Sequence, residues 1–167
     1  MVLKAIFSAF DTTNGAEPWI TDGTAAGTIL LKDINPAFSQ SLNSTFGFKS
    51  LGSKVVFGAQ TDTNGKELWV TDGTAAGTFM LQDINTGING SSPNDFVVLG
   101  PKMVFTASNP ATGRELWVTD GTTGGTFQLK DIAIGPDNGL AGGSTMRLSA
   151  TKWCSRPMIR SSDRNFG

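Results

Sequence analysis

The sequence predicts an all-β fold, and three observations carry that expectation. No segment shows a 3.6-residue apolar period of helical length. Short apolar runs alternate with clusters of Gly, Thr, Ser and Asn, which is the pattern of strands and turns. One stretch of a dozen residues returns at a nearly constant spacing, the mark of a repeating structural unit.

That stretch is Glu67-Leu68-Trp69-Val70-Thr71-Asp72-Gly73-Thr74-Ala75-Ala76-Gly77-Thr78. It recurs over residues 17–28, changed only at Pro18 and Ile20, and over residues 115–126, changed only at Thr123 and Gly124. Trp19, Trp69 and Trp117 therefore correspond, as do Asp22, Asp72 and Asp120, and further along Asp33, Asp83 and Asp131. The unit is roughly 50 residues long, the size of one supersecondary unit that buries its apolar face only by stacking on a neighbour.

The middle unit reads as four strands. The first lies near residues 45–51 and ends at Gly52-Ser53. The second, over 54–60, puts Val55, Phe57 and Ala59 on one face, and Thr61-Asp62-Thr63-Asn64-Gly65 follows as a hairpin turn whose Asn-Gly suits positive φ. The third, over 66–71, carries Leu68 and Val70 on one face and Trp69 on the other, which predicts a sheet covered on both sides. Residues 72–77 turn the chain, 78–84 form the fourth strand, and a Gly/Asn/Ser/Pro-rich connection over 85–94 leads to the next unit. Four antiparallel strands with tight turns and one longer crossover describe a β-propeller blade.

The expected organisation is a partial first blade over 1–36, a second over 37–86, a third over 87–134 and the start of a fourth repeat over 135–151. The first unit lacks its opening strand. Pro18 breaks a local rule, since proline cannot donate to a ladder, and predicts a bulge or an unpaired position. Residues 152–167 lose the strand pattern. Read one base earlier, permitted codons spell a Met-Val-Phe opening and a closing Glu-Leu-Trp in the register of a fourth repeat, so the tail is expected to be frameshifted. The coding DNA decides this.

Composition narrows the function classes. The chain has 167 residues and a net charge of −1, which gives no general attraction to nucleic acid or anionic membrane. No apolar run approaches the ~20 residues of a membrane-spanning helix, and residues 1–7 lack the pattern of a signal peptide. There is no His, and Cys154 is the single cysteine, so neither a typical zinc site nor an internal disulfide is expected. Without His there is no general base of the usual type for a Ser or Thr nucleophile, and no Gly-rich segment sits between a strand and a helix to cradle phosphate.

The repeated acids remain the candidates for a site. Asp22, Asp72 and Asp120 precede Gly23-Thr24, Gly73-Thr74 and Gly121-Thr122, the setting of an Asx-turn in which the carboxylate accepts backbone N–H groups. Glu17, Glu67 and Glu115 open a strand and are expected to be exposed or paired across strands. Asp33, Asp83 and Asp131 are expected to act as turn or edge charges. Asp11 and Asp62 faintly resemble calcium-loop ligands, but they are out of register with each other, and the third loop, Asn109-Pro110-Ala111-Thr112-Gly113, has no carboxylate. Trp19, Trp69 and Trp117 are expected to pack between blades rather than to act as ligand platforms.

The Glu67-Leu68-Trp69, Asp72-Gly73-Thr74 and Gly77-Thr78 pattern, with its two other copies, resembles the bacterial ELW-x-x-DGT repeat proteins. The resemblance implies a β-propeller-like, non-enzymatic structural or binding module of a larger secreted or surface protein. Its partners would be further repeats, other copies of the chain, or a carbohydrate or protein ligand. A weaker likeness joins Asp72, Gly73, Thr78 and Phe79 to the Asp-box of sialidase-type propellers. It suggests one alternative, a carbohydrate-active hydrolase with two carboxylates roughly 5 to 9.5 Å apart, and a calcium-dependent adhesion module is a separate alternative.

Overall fold

The computed structural model describes residues 3–36, 47–140 and 146. These contain eleven strands and no helix. β1 (Ala5–Asp11), β2 (Gly15–Thr21) and β3 (Ile29–Leu30) form a first sheet. β4 (Lys49–Leu51), β5 (Lys54–Thr61), β6 (Gly65–Thr71) and β7 (Phe79–Gln82) form a second, and β8 (Asn94–Leu99), β9 (Lys102–Asn109), β10 (Gly113–Thr119) and β11 (Phe127–Lys130) a third. Each sheet is an antiparallel meander with its strands side by side in chain order, and none closes on itself.

The register explains why the motif sits where it does. In the three sheets Phe7 faces Trp19, Phe57 faces Trp69 and Phe105 faces Trp117 across the central strand pair. The hairpins turn at Gly15, Gly65 and Gly113 with φ of +77°, +62° and +67°, a region only glycine enters without strain. Positive φ belongs to the glycine alone. Asn64 instead donates its N–H to Thr61 Oγ1 at 3.0 Å.

Alternation along the strands gives the second sheet two apolar faces. Phe57, Ala59 and Trp69 pack with Ile34 of the first unit, joined by Phe48 and Met80. On the other side Leu51, Val56, Leu68, Val70, Leu81 and Ile84 pack with Met103, Phe105, Ala107 and Trp117 of the third. The sheets therefore stack face to face, the Trp-bearing faces of the second and third each seated on the back of the preceding sheet. Trp69 and Trp117 occupy the inter-sheet positions expected of them.

Two local departures have identifiable causes. The fourth strand ends at Gln82 rather than at 84, because the N–H groups of Ile84 and Asn85 turn from the ladder to the Glu67 carboxylate. In the second and third sheets the ladder slips between Leu68 and Trp69 and between Leu116 and Trp117. Pro18 stands at that position in the first sheet. It keeps register with Ser8 in β1 but has no residue partner in β3, and its carbonyl accepts from Leu31 N, just past that strand, at 2.9 Å. Pro18 thus sits where the ladder needs no N–H. The opening strand observed in the second unit starts at Lys49, and the expected frameshifted tail, 152–167, lies outside the described residues.

Candidate functional site

The loop after each Trp-bearing strand is a closed hydrogen-bond circuit. Asp72 Oδ1 accepts from Thr74 N at 2.9 Å and from Thr74 Oγ1 at 2.7 Å, the Asx-turn that Asp before Gly-Thr predicts. Thr71 Oγ1 accepts from Gly73 N and lies 2.7 Å from Thr78 Oγ1, while Thr78 Oγ1 donates to Thr74 O and Gly77 N donates to Thr74 Oγ1. The same contacts recur at Asp22, Thr21, Thr24, Gly27 and Thr28, and at Asp120, Thr119, Thr122, Gly125 and Thr126.

Both glycines of the motif are explained. Gly23, Gly73 and Gly121 have φ of +91°, +88° and +80°. Gly27, Gly77 and Gly125 lie under the Asp carboxylate, and a Cβ there would overlap it in all three copies. The hydrogen bonds of Thr24, Thr74 and Thr122, side chain first, hold the carboxyls of Asp22, Asp72 and Asp120 below their ordinary value.

The glutamates overturn the expectation of an exposed or cross-strand paired acid. Glu17, Glu67 and Glu115 are buried, and each clamps the chain leaving the last strand of its own sheet. Glu67 accepts from Ile84 N at 3.0 Å, Asn85 N at 3.0 Å, Ser91 N at 2.8 Å and Ser91 Oγ at 2.6 Å. Glu115 accepts from Ile132 N, Ala133 N and Gly139 N, and Glu17 from Ile34 N and Asn35 N. Burial pushes the carboxyls of Glu17 and Glu67 above their ordinary value, with the donors pulling against it.

A crossover strapped this tightly runs against the hairpin end of its own sheet. Ser92 N donates to Lys66 O and Leu140 N to Arg114 O, and a Cβ on Gly65 or Gly113 would strike the crossover backbone at Ile88 or Asp137. The recurring Asp-Ile pair at a fixed distance after each Glu was the sequence signal for this clamp. Its meaning was hidden because the donors are backbone groups, which no side-chain pattern reports.

Asp33, Asp83 and Asp131 are more enclosed than edge charges. Each has one carboxylate oxygen shielded from solvent without a protein partner, while Asp83 Oδ2 accepts from Asn64 Nδ2 at 2.9 Å. The three motif indoles likewise bury Nε1 without a partner. Asp11 is absorbed by its own turn, its Oδ1 accepting from Thr13 N and Asn14 N and its Oδ2 from Asn14 Nδ2. Thr61 and Asn109 do the same work at the corresponding positions with a hydroxyl and an amide oxygen. Asp62 Oδ1 accepts from Asn35 Nδ2 at 3.1 Å. Among the described residues no three acids, Cys or His converge where they would hold a metal ion.

The motif loops also join the units. Lys54 Nζ donates to Gly121 O at 2.7 Å and Thr123 Oγ1 to Leu81 O at 3.2 Å, linking the third loop to the second sheet. At the junction of the first two units Lys4 and Ile6 replace Lys54 and Val56, and a cavity of about 280 Å³ opens beside Ile20, Asp72 and Thr74. A second cavity of about 280 Å³ lies between Lys49, Asp95, Phe96 and Met146. Neither gathers two of the repeated acids. Comparison with protein-family models, with curated proteins and with solved structures finds no match for this chain.

Proposed function

We propose that the chain is a non-enzymatic structural or binding module of stacked β-propeller-type repeats, belonging to a larger secreted or surface protein. The observation that supports it most is how the repeated acids are used. Asp22, Asp72 and Asp120 bond to their own turns, and Glu17, Glu67 and Glu115 each accept from the same two successive backbone N–H groups of their own crossovers. An acid–base pair is needed once per active site, whereas a turn and a crossover are needed once per repeat. On this reading the motif builds a stack whose exterior is free to vary, and a ligand would be met by the loops and sheet rims rather than by the motif.

The rival reading is the carbohydrate-active hydrolase of Asp-box type. The two are separated by assaying the chain against a panel of aryl glycosides and polysaccharides beside its thermal unfolding. We expect no glycoside cleavage above buffer, and Glu67→Ala to lose roughly 3 kcal/mol of stability, since it strands buried donors. Glu67→Gln should lose less, because its amide oxygen still serves one pair of donors while its NH₂ faces the other. Cleavage that Glu67→Gln abolishes in a chain still folded would overturn the proposal.

A further inference from the structure

We propose that Asn89-Gly90 is a site of spontaneous succinimide chemistry, at which the Asn89 amide is lost and the backbone is rebuilt in part as an isoaspartyl linkage. A glycine after an asparagine leaves its backbone nitrogen open to the side-chain carbonyl, because no Cβ stands in the way. The chain has four such pairs, Asn14-Gly15, Asn64-Gly65, Asn89-Gly90 and Asn138-Gly139. The sequence makes them equivalent. The structure does not.

Three of the four amides are held away from attack. Asn14 Nδ2 donates to Asp11 Oδ2 at 2.8 Å, and the Asn14 backbone N–H donates to Asp11 Oδ1 at 2.6 Å. Asn64 Nδ2 donates to Asp83 Oδ2 at 2.9 Å, while Asn64 Oδ1 accepts from the hydroxyls of Thr61 and Thr63 at 3.3 and 2.7 Å. Asn138 Oδ1 accepts from Arg114 N at 2.8 Å, and the nitrogen that would attack it, Gly139 N, donates to the Glu115 carboxylate at 2.8 Å. Asn89 differs from all three. It is exposed, and among the described residues no hydrogen bond holds its amide. Gly90 N meets only the carbonyl of Gly87, at 3.2 Å, within the same short turn. The Asp-Gly pairs of the motif are restrained like the first three, as where Asp72 Oδ1 is bonded to Thr74 and Gly73 N to Thr71 Oγ1.

In the reaction Gly90 N gives its proton to solvent base and bonds to Asn89 Cγ. The Cγ–Nδ2 bond breaks, and Nδ2 takes a proton from solvent and leaves as ammonia. Water then opens the cyclic imide at one or other of its carbonyls, leaving an aspartate or an isoaspartate at position 89. Water is the only co-reactant, no atom changes oxidation state, and the product carries one more negative charge. The fold accommodates the change here because the crossover is fastened on both sides of it. Ile84 N and Asn85 N are bonded to Glu67 before the tip, and Asn85 Nδ2 holds Gly90 O at 2.7 Å while Ser91 N and Oγ return to Glu67 after it. The extra backbone atom is therefore taken up in residues 86–89, which are exposed to solvent.

The test holds the whole chain in mildly alkaline buffer, with and without urea, and follows each Asn-Gly pair by peptide mapping with mass spectrometry that separates isoaspartate from aspartate. In the folded chain Asn89 should lose its amide at least about tenfold faster than Asn14, Asn64 or Asn138, the factor that one hydrogen bond adds to a barrier. In urea the rates should converge, since the pairs then differ only in their flanking residues. Asp11→Ala, with circular dichroism reporting its fold, should speed the loss at Asn14 by a similar factor and leave Asn89 unchanged, because it removes the acceptor of the Asn14 amide. Equal rates at the four pairs of the folded chain, an Asn89 lead that persists in urea, or an Asn14 rate that Asp11→Ala leaves unchanged overturns the inference. Should Asp11→Ala fail to fold, the folded and urea-treated wild type decide it alone. The modified chain should keep its β circular dichroism, and a loss that tracks isoaspartate at position 89 overturns the placement of the change in the exposed tip.

Discussion

A carboxylate held over a glycine is the smallest unit from which this protein is built. Asp72 lies against Gly77 while bonded to Thr74, so the second glycine of the motif is needed for space rather than for φ. Gly77→Ala should destabilise the chain by pushing Asp72 off Thr74, and Asp72→Ala should lose the same bonds. The double variant should therefore lose less than the sum of the two, a coupling that urea unfolding of all four proteins measures. Additive losses would mean that the contact is not what selects glycine.

The same carboxylate sets an acid limit. Because Asp72 is held below its ordinary value of 3.8, its contribution is present above that value and is lost as pH falls through the lowered one. Glu17 and Glu67 have the opposite sign. Their carboxyls are raised above 4.5, so the folded chain binds their protons more readily and their contribution declines as pH rises through that window. Asp72→Asn keeps the acceptor oxygen and should flatten the loss of stability below about pH 3.8 without removing the turn, as urea unfolding at a series of acid pH values would read out. An unchanged acid slope would count against this account.

Among the elements, the Trp-bearing strand is central because it is read from both sides. Its Trp faces the preceding sheet, and its Leu and Val face the following one. Trp69→Ala should cost about 3 to 5 kcal/mol, the usual penalty for emptying a packed aromatic site. Trp19→Ala should cost clearly less, since that indole is only part-buried and no described sheet packs on it. Equal melting-temperature losses for the two would show that stacking is not what buries the Trp.

The strand pattern, the turn glycines and the Asx-turn were legible in the sequence because period, glycine and Asp-Gly-Thr each report local geometry. The Glu clamp was not. It joins residues 17 and 24 apart through backbone N–H groups, and an acid opening a strand looks solvent-facing until the crossover is laid over it. The Thr71 and Thr78 hydroxyl pair was likewise visible only as repetition.

For the whole molecule, stability is distributed along a stack, and each repeat depends mainly on its neighbours. The second sheet, with a core on each face, should hold the slowest-exchanging amides, and β11, whose Leu129 and Lys130 are exposed, among the fastest of the strand amides. Hydrogen exchange resolved to single strands checks the order. Uniform protection across the sheets would indicate one indivisible core instead.

The sequence by itself determined that the protein is all-β, that its unit is a meander of short strands, and that one motif builds every copy. Those features follow from spacing and from residues whose backbone preferences are local. Only the tertiary structure decided that the repeated acid at the start of the motif is an internal strap, and that the Trp-bearing faces of the second and third sheets pack on the sheet before them. Burial and partnership belong to surfaces brought together from distant parts of the chain. No local pattern contains them until those surfaces meet.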